Sequence, residues 1–290
     1  MLWALLATFQ AMMYGGLNHA NRTWQFSGSL LARWRGLIPA LIALPLTFFY
    51  PPPTDPLFYA MSIASACLVL FHDGRAFDIS AKYGANVMLR LRPLVLPCVF
   101  AVWLIIHPGQ FNALIQTPWL SAALVFCLGL ATFFLMNLRK CTVSRAALRE
   151  MAPVLIAAAG FDLFNKTAMD HSAFPANIFY YMLIVSGLPV FFGMLTYKGG
   201  ARPMIHDMAG IARHGVFLGF FWAIMMALKN MALMGASNPA YVTAISLTAP
   251  FWVSLWMKVR GEKEEADWIS GTGLVLAVMM MVLLSTWIKG

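Results

Sequence analysis

Ten stretches of the chain stay apolar for close to the roughly 20 residues that a helix needs to cross a bilayer: 2–19, 34–50, 57–77, 84–106, 120–138, 153–169, 177–197, 215–234, 241–257 and 268–287. Of 290 residues, 61% are hydrophobic and only 11% charged, which is more apolar surface than a soluble core can hide. The sequence therefore predicts an all-α polytopic membrane protein. One of the stretches carries Pro250 in its interior. In a soluble helix that proline would remove a hydrogen bond and force a kink. Within a bilayer, neighbouring helices and hydroxyl side chains re-satisfy the freed groups, so the proline reads as a designed bend.

Little chain remains between the stretches. The longest connections, 139–152 and 198–214, are too short for soluble domains, so function is expected among the helices. The chain starts almost on its first apolar run, with no basic leader or small-residue cleavage site, and that run is expected to be a retained helix. Cys67, Cys98, Cys127 and Cys141 lie far apart and show no metal-ligand spacing, so neither a metal nor another cofactor is expected. The net charge is +9, yet no basic run interleaves with aromatics, which argues against a nucleic-acid partner. The basic residues sit at predicted helix ends, where they set topology and meet lipid headgroups. Trp24, Trp34, Trp119, Trp268 and Trp287 also fall near predicted helix ends and read as interfacial anchors.

The two halves echo each other. An advance of 157 positions lays residues 78–94, DISAKYGANVMLRLRPL, over 235–251, GASNPAYVTAISLTAPF, and sets Pro93 on Pro250. Residues 16–21, GLNHAN, correspond to 163–168, LFNKTA, aligning Asn18 with Asn165 and His19 with Lys166. Five helices are thus expected to repeat. An odd number per repeat sends the second copy through the membrane the other way, giving an inverted pair.

These residues resemble the drug/metabolite transporter superfamily, EamA type. The tail of each family repeat shows small residues, a Ser/Leu-x-x-Pro helix, a Gly-Glu turn and a Gly-rich final helix. Here those are Ala244 to Pro250, Gly261 with Glu262, and ISGTGLVLAVMMMVLL from Ile269. FDLFNKTAM, residues 161–169, looks like the start of the family's second repeat. The first repeat departs from the pattern: HPGQFNALIQTP at 107–118 stands where the family often has a Glu-Arg turn.

The resemblance implies a five-helix repeat over 1–140, a connection at 141–152 and a second repeat over 153–290. It further implies a transporter that moves a small polar or amphipathic metabolite by alternating access, with proton or exchange coupling, in a bacterial inner membrane. The competing class is an intramembrane enzyme that modifies lipid headgroups. The Asp-Gly in FHDGRAFD, residues 71–78, would suit its metal-binding motif, but the next acid after Asp78 is Glu150, too far for the remaining ligands.

Charged groups at bilayer depth cost about 2.5 to 3.5 kcal/mol each on insertion scales, so each needs a reason. Asp162 and Lys166 lie four residues apart, on one face of the sixth segment, with Asn165 beside them. They are expected either to line a cavity, with Asn18 and His19 on the echoing face of the first segment, or to neutralise each other as an intrahelical pair. Asp162 is the candidate proton carrier. Arg90 precedes Pro93 and is a candidate for an anionic substrate, or else snorkels to the interface. His72 and Asp73 align with Lys229 and Asn230, polar pairs late in the third segment of each half.

Alternate loops divide the charge. Fifteen basic residues, from Arg22 to Lys263, fall in the loops after segments 1, 3, 5, 7 and 9, and at most two, Lys166 and Lys229, in the others. Basic loops stay cytoplasmic, which places both termini outside, against the cytoplasmic termini that the resemblance implies.

Overall fold

The computed structural model describes residues 1–24, 26, 28–83, 87, 90–138, 143–196, 201–261 and 267–287, excepting the side chains of 18–23, 28–29, 73–74, 76–78, 80–81 and 201–202. Every regular element among these residues is helical. In order they are α1 (Leu2–Trp24), α2 (Gly28–Thr47), α3 (Pro56–Tyr83), a 3-10 turn (Arg92–Leu94), α4 (Val95–Ile106), α5 (Pro108–Gln116), α6 (Pro118–Asn137) and α7 (Arg145–Asp170). There follow α8 (Ala176–Thr196), α9 (Ala201–Gly210), α10 (Ala212–Gly235), α11 (Pro239–Ser246), α12 (Ala249–Val259) and α13 (Trp268–Ser285).

Six spans are long and apolar enough to cross a bilayer: Leu30–Thr47 in α2, then α6, α8, α10, Pro239–Val259 across α11 and α12, and α13. A seventh results if α4 and α5, bent by 102°, count as one. The protein is a multi-pass, all-α membrane protein. Local chemistry explains where several helices begin. Ser144 caps α7 by accepting from the Ala147 N–H at 3.1 Å, and Asn238 caps α11 by accepting from Ala240 at 2.9 Å. Asp267 caps α13 through Ile269 and also accepts from the Ser270 hydroxyl at 2.7 Å. Gly261, at φ +73°, stands just after the end of α12 in a conformation open chiefly to glycine.

Three expectations need correction. The segment at 241–257 is not one helix: α11 ends at Ser246 and α12 starts at Ala249, with Pro250 in its first turn. The segment at 84–106 is likewise interrupted, by the 3-10 turn that holds Pro93. The two supposed connections also contain helix, since α7 begins at Arg145 and α9 fills most of the stretch before α10. Met204 and Met208 bury α9 against Trp34, whose indole N–H donates to the Met208 carbonyl at 3.2 Å.

Contacts along the helices fix their directions. Trp3 meets Gly235, Tyr14 meets Trp222 and Trp24 meets His214, so α1 runs antiparallel to α10. Leu68 meets Gly160 and Lys82 meets Glu150, so α3 runs antiparallel to α7. Gly36 packs on Val190 and Gly187 faces Ala40, setting α2 against α8; Phe134 on Gly273 and Leu138 on Gly271 set α6 against α13. By contrast, Trp34 on Gly215 and Ile38 on Gly219 make α2 and α10 parallel. Small residues at these crossings let backbones approach where burial of apolar surface gives no drive. The alternating directions gather Lys82, Glu150, Trp24 and His214 at one end, called here the basic face. Asp55, His107, His171 and Ser237 gather at the other.

Candidate functional site

Asp162 lies eight residues before the end of α7, about 12 Å along its axis from the face opposite the basic one. Its carboxylate is buried and fully engaged. Oδ1 takes the Lys229 ammonium of α10 at 2.5 Å, and Oδ2 accepts from the Thr243 hydroxyl of α11 at 2.7 Å. Lys229 also stands 5.4 Å from the Phe161 ring, whose negative face suits a cation. One side chain therefore joins three helices. Thr243 is positioned by the short α11, which ends one turn later at the break before Pro250.

A second polar contact reinforces the first. Asn165, one turn along α7, donates to the Asn230 side-chain carbonyl at 3.1 Å, and both residues are buried. Asn165 Oδ1 and Asn230 Nδ2 have no partner. One acceptor and one donor are thus left in the interior, where each costs free energy until water or a solute meets it.

Lys166 does not pair with Asp162. Its ammonium reaches Asp170 at 2.6 Å, with the lysine side chain 6% exposed and the aspartate 38%. The ladder Asp162, Lys166, Asp170 has the right spacing for either partner, and the intrahelical pair expected between 162 and 166 is replaced by one bond across to α10 and one further along α7. The cross-helix bond wins because Lys229 and Thr243 together satisfy both carboxylate oxygens.

Asn18 and His19 belong to α1, but their side chains lie outside the described residues. Arg90 is half-buried beside the 3-10 turn and is not among the partners of Asp162. Its neighbour Arg92 donates to the Tyr14 hydroxyl of α1 at 3.2 Å. On the other broken span, the Ser246 hydroxyl donates to Gln10 of α1 at 2.8 Å. A Cβ at Gly15 would lie 2.8 Å from the Ala249 carbonyl, so α1 touches the broken backbone directly. Sequence reasoning missed Thr243 and Gln10, and it singled out Lys229 only as half of a polar pair late in its segment.

Beyond Asp170 the face opposite the basic one carries its own charges. Asp55 caps α3 by accepting from the Leu57 N–H at 2.8 Å, and its other oxygen meets His171 Nδ1 at 2.8 Å. The backbone bond first, and then His171, hold this carboxyl below its ordinary range. A cleft of about 350 Å³ opens at the bend between α4 and α5, along residues 106–110. His107 at its edge is close enough to feel the charges of both Asp170 and Lys166. Among the described residues, no three His, Cys, Asp or Glu side chains gather as a metal site.

Fold and site define a class: a multi-pass helical membrane protein with a charge-compensated polar centre beside a broken helix. No family model matches the chain, and no curated protein matches it significantly.

Proposed function

We propose that this protein is a transporter of the drug/metabolite type, moving a small polar or amphipathic metabolite through the centre of two inverted five-helix repeats. The observation that carries the reading is the buried Asp162–Lys229–Thr243 network, midway in an apolar bundle. Ionisable groups at that depth are expensive and mark solute or proton paths. The packing pattern supports the repeat. Pairing segment one with six, two with seven, three with eight and so on maps the α3–α7 contact onto α10–α1, and the α2–α10 contact onto α8–α3. The two breaks are consistent with it, since each precedes a helix of eleven or twelve residues.

In this reading Asp162, Asn165, Lys166 and Lys229 meet the solute, and the unpartnered Asn165 and Asn230 groups are its hydrogen-bonding complement. Protonation of Asp162 would release Lys229 and free α10 from α7, which couples a proton to movement. The basic face is cytoplasmic and the membrane a bacterial inner membrane. Uptake of a pooled set of labelled small polar metabolites into proteoliposomes tests the proposal, with a lipid-product assay on the same preparation. Solute accumulation that Asp162→Asn renders insensitive to a pH gradient is the expected result. Formation of a modified lipid without uptake would overturn it in favour of the enzyme.

A further inference from the structure

Phe71, Arg75, Ile79 and Lys82 recur along α3 at spacings of four, four and three, and therefore share one stripe of the helix. Across from them stand Glu150 and Pro153 of α7, and between the two helices lies a cleft of about 310 Å³. Ile79 is buried against Met151 and Val154 and forms the floor. Phe71 and Arg75 are exposed. At the outer rim Lys82 donates to Glu150 at 2.6 Å, and the Tyr83 hydroxyl donates to the same carboxylate oxygen at 2.8 Å. Asp78, on the same helix, has its side chain outside the described residues.

Helix length places the cleft at a boundary. α3 has 28 residues, about 42 Å, whereas the hydrocarbon core is about 30 Å thick. Its first turn follows Asp55, which with His171 marks the opposite edge of the bundle. Some 20 residues further on, about 30 Å, the helix leaves hydrocarbon next to Arg75. Phe71 is then one turn inside, Arg75 at headgroup level, and Lys82 beyond it. We propose that this cleft binds an anionic phospholipid. Its phosphate sits on Arg75, whose planar fork fits two phosphate oxygens. The outer headgroup reaches Lys82, whose ammonium has three N–H donors and gives one to Glu150. The first acyl carbons lie along Phe71. A soluble phosphate ester shares the charge but gains nothing from Phe71, which is why a lipid is the occupant. The basic face around the cleft attracts the same lipids. This site is independent of the transport reading and stands or falls without it.

Native mass spectrometry of the full-length protein in neutral detergent tests it, with phosphatidylglycerol, phosphatidylcholine or glycerol 3-phosphate added. One phosphatidylglycerol should be retained in preference to phosphatidylcholine, and glycerol 3-phosphate should neither bind nor displace it. Arg75→Gln should weaken retention about fivefold, from roughly 1 kcal/mol per basic residue near the surface. Arg145→Gln, on the same face but outside the cleft, should leave it unchanged. Equal retention of the two lipids by the unaltered protein would overturn the proposal, whatever the variants do. So would displacement by glycerol 3-phosphate, which means a soluble-ester site, or an equal loss in Arg145→Gln, which means diffuse attraction only.

Discussion

Two long antiparallel seams run through the bundle, α3 on α7 and α1 on α10, and they are held by different chemistry. The α3–α7 seam is pinned at both ends, by the Asp55–His171 contact and by the Lys82–Glu150 ion pair, around a close approach of Leu68 to Gly160. The α1–α10 seam carries aromatic contacts along its length among the described residues: Trp3 packs on Gly235, Tyr14 lies 6.0 Å from Trp222, and Trp24 lies 5.0 Å from His214. Rings keep contact over a range of offsets, whereas an ion pair is made or lost within a short distance. The first seam thus has a latch at each end, whereas the second rests on packing that tolerates offset. Their only charged bridge among the described residues is Asp162 of α7 with Lys229 of α10.

That bridge should show the largest effect. Lys229→Ala leaves Asp162 buried with only Thr243, and removing one partner of a buried pair costs about 3 to 5 kcal/mol. Thermal unfolding in detergent should show this loss, and Asp162→Asn added to Lys229→Ala should recover a large part of it. A double variant no better than the single one would mean that the charge itself is not what Lys229 compensates.

Next comes the aromatic seam. Trp222 touches the Tyr14 ring and carries the Arg35 guanidinium 3.7 Å from its ring centroid. Trp222→Ala should cost about 3 kcal/mol by lost packing, the low end for large aromatic truncations. The loss should be the same in low and high salt and across pH 4 to 8. A salt-dependent loss would show that the seam depends on the Arg35 charge more than on ring contact.

The latches should give the smallest effects, and these should follow pH. Hydrogen bonds from Lys82 first, and then Tyr83, hold the Glu150 carboxyl below its ordinary 4.5, and Asp55 is held below 3.8. Because both are depressed in the fold, their stabilisation is present above those values and fades as pH falls through the lower folded ones. Lys82 is raised above 10.5, chiefly by Glu150, so its share persists below that value and fades only at still higher pH. Both latches are exposed and screened, so Glu150→Gln should lower the melting temperature slightly, and only at low salt. Asp55→Asn keeps a capping side chain while removing the charge. The double variant should melt at nearly the same temperature from pH 6 to pH 3, where the unaltered protein declines. An equal decline in both would place the acid sensitivity outside this seam.

Much of this organisation was legible in residue order. Apolar length announced helical segments, and Pro250 announced a bend, but a proline does not by itself decide a break: Pro39 and Pro45 in α2, Pro153 in α7 and Pro189 in α8 all lie inside continuous helices. The break itself was underestimated: Asn238 and Pro239 start a separate short helix, and the chain re-starts at Ala249. Helix α5 was missed because PGQFNALIQ is too short and mixed to register as apolar, and α9 because among its described side chains only Met204 and Met208 are buried. Lys166 illustrates a different limit. Spacing placed it on the face of Asp162, correctly, yet Asp170 lies at the same spacing on its other side, and sequence gives no reason to choose.

What the sequence determined by itself is therefore local: where helices form, which stripes are polar, and which loops carry charge. Partnership was decided by the tertiary structure. Asp162 found Lys229 and Thr243 at 67 and 81 residues' distance, and Lys82 found Glu150 at 68. Helical periodicity fixes the direction in which a side chain points from its own axis, but only packing fixes which helix stands there. For a carboxylate in a bilayer that neighbour is decisive, since the cost of burial is offset only by a donor placed within a few ångströms.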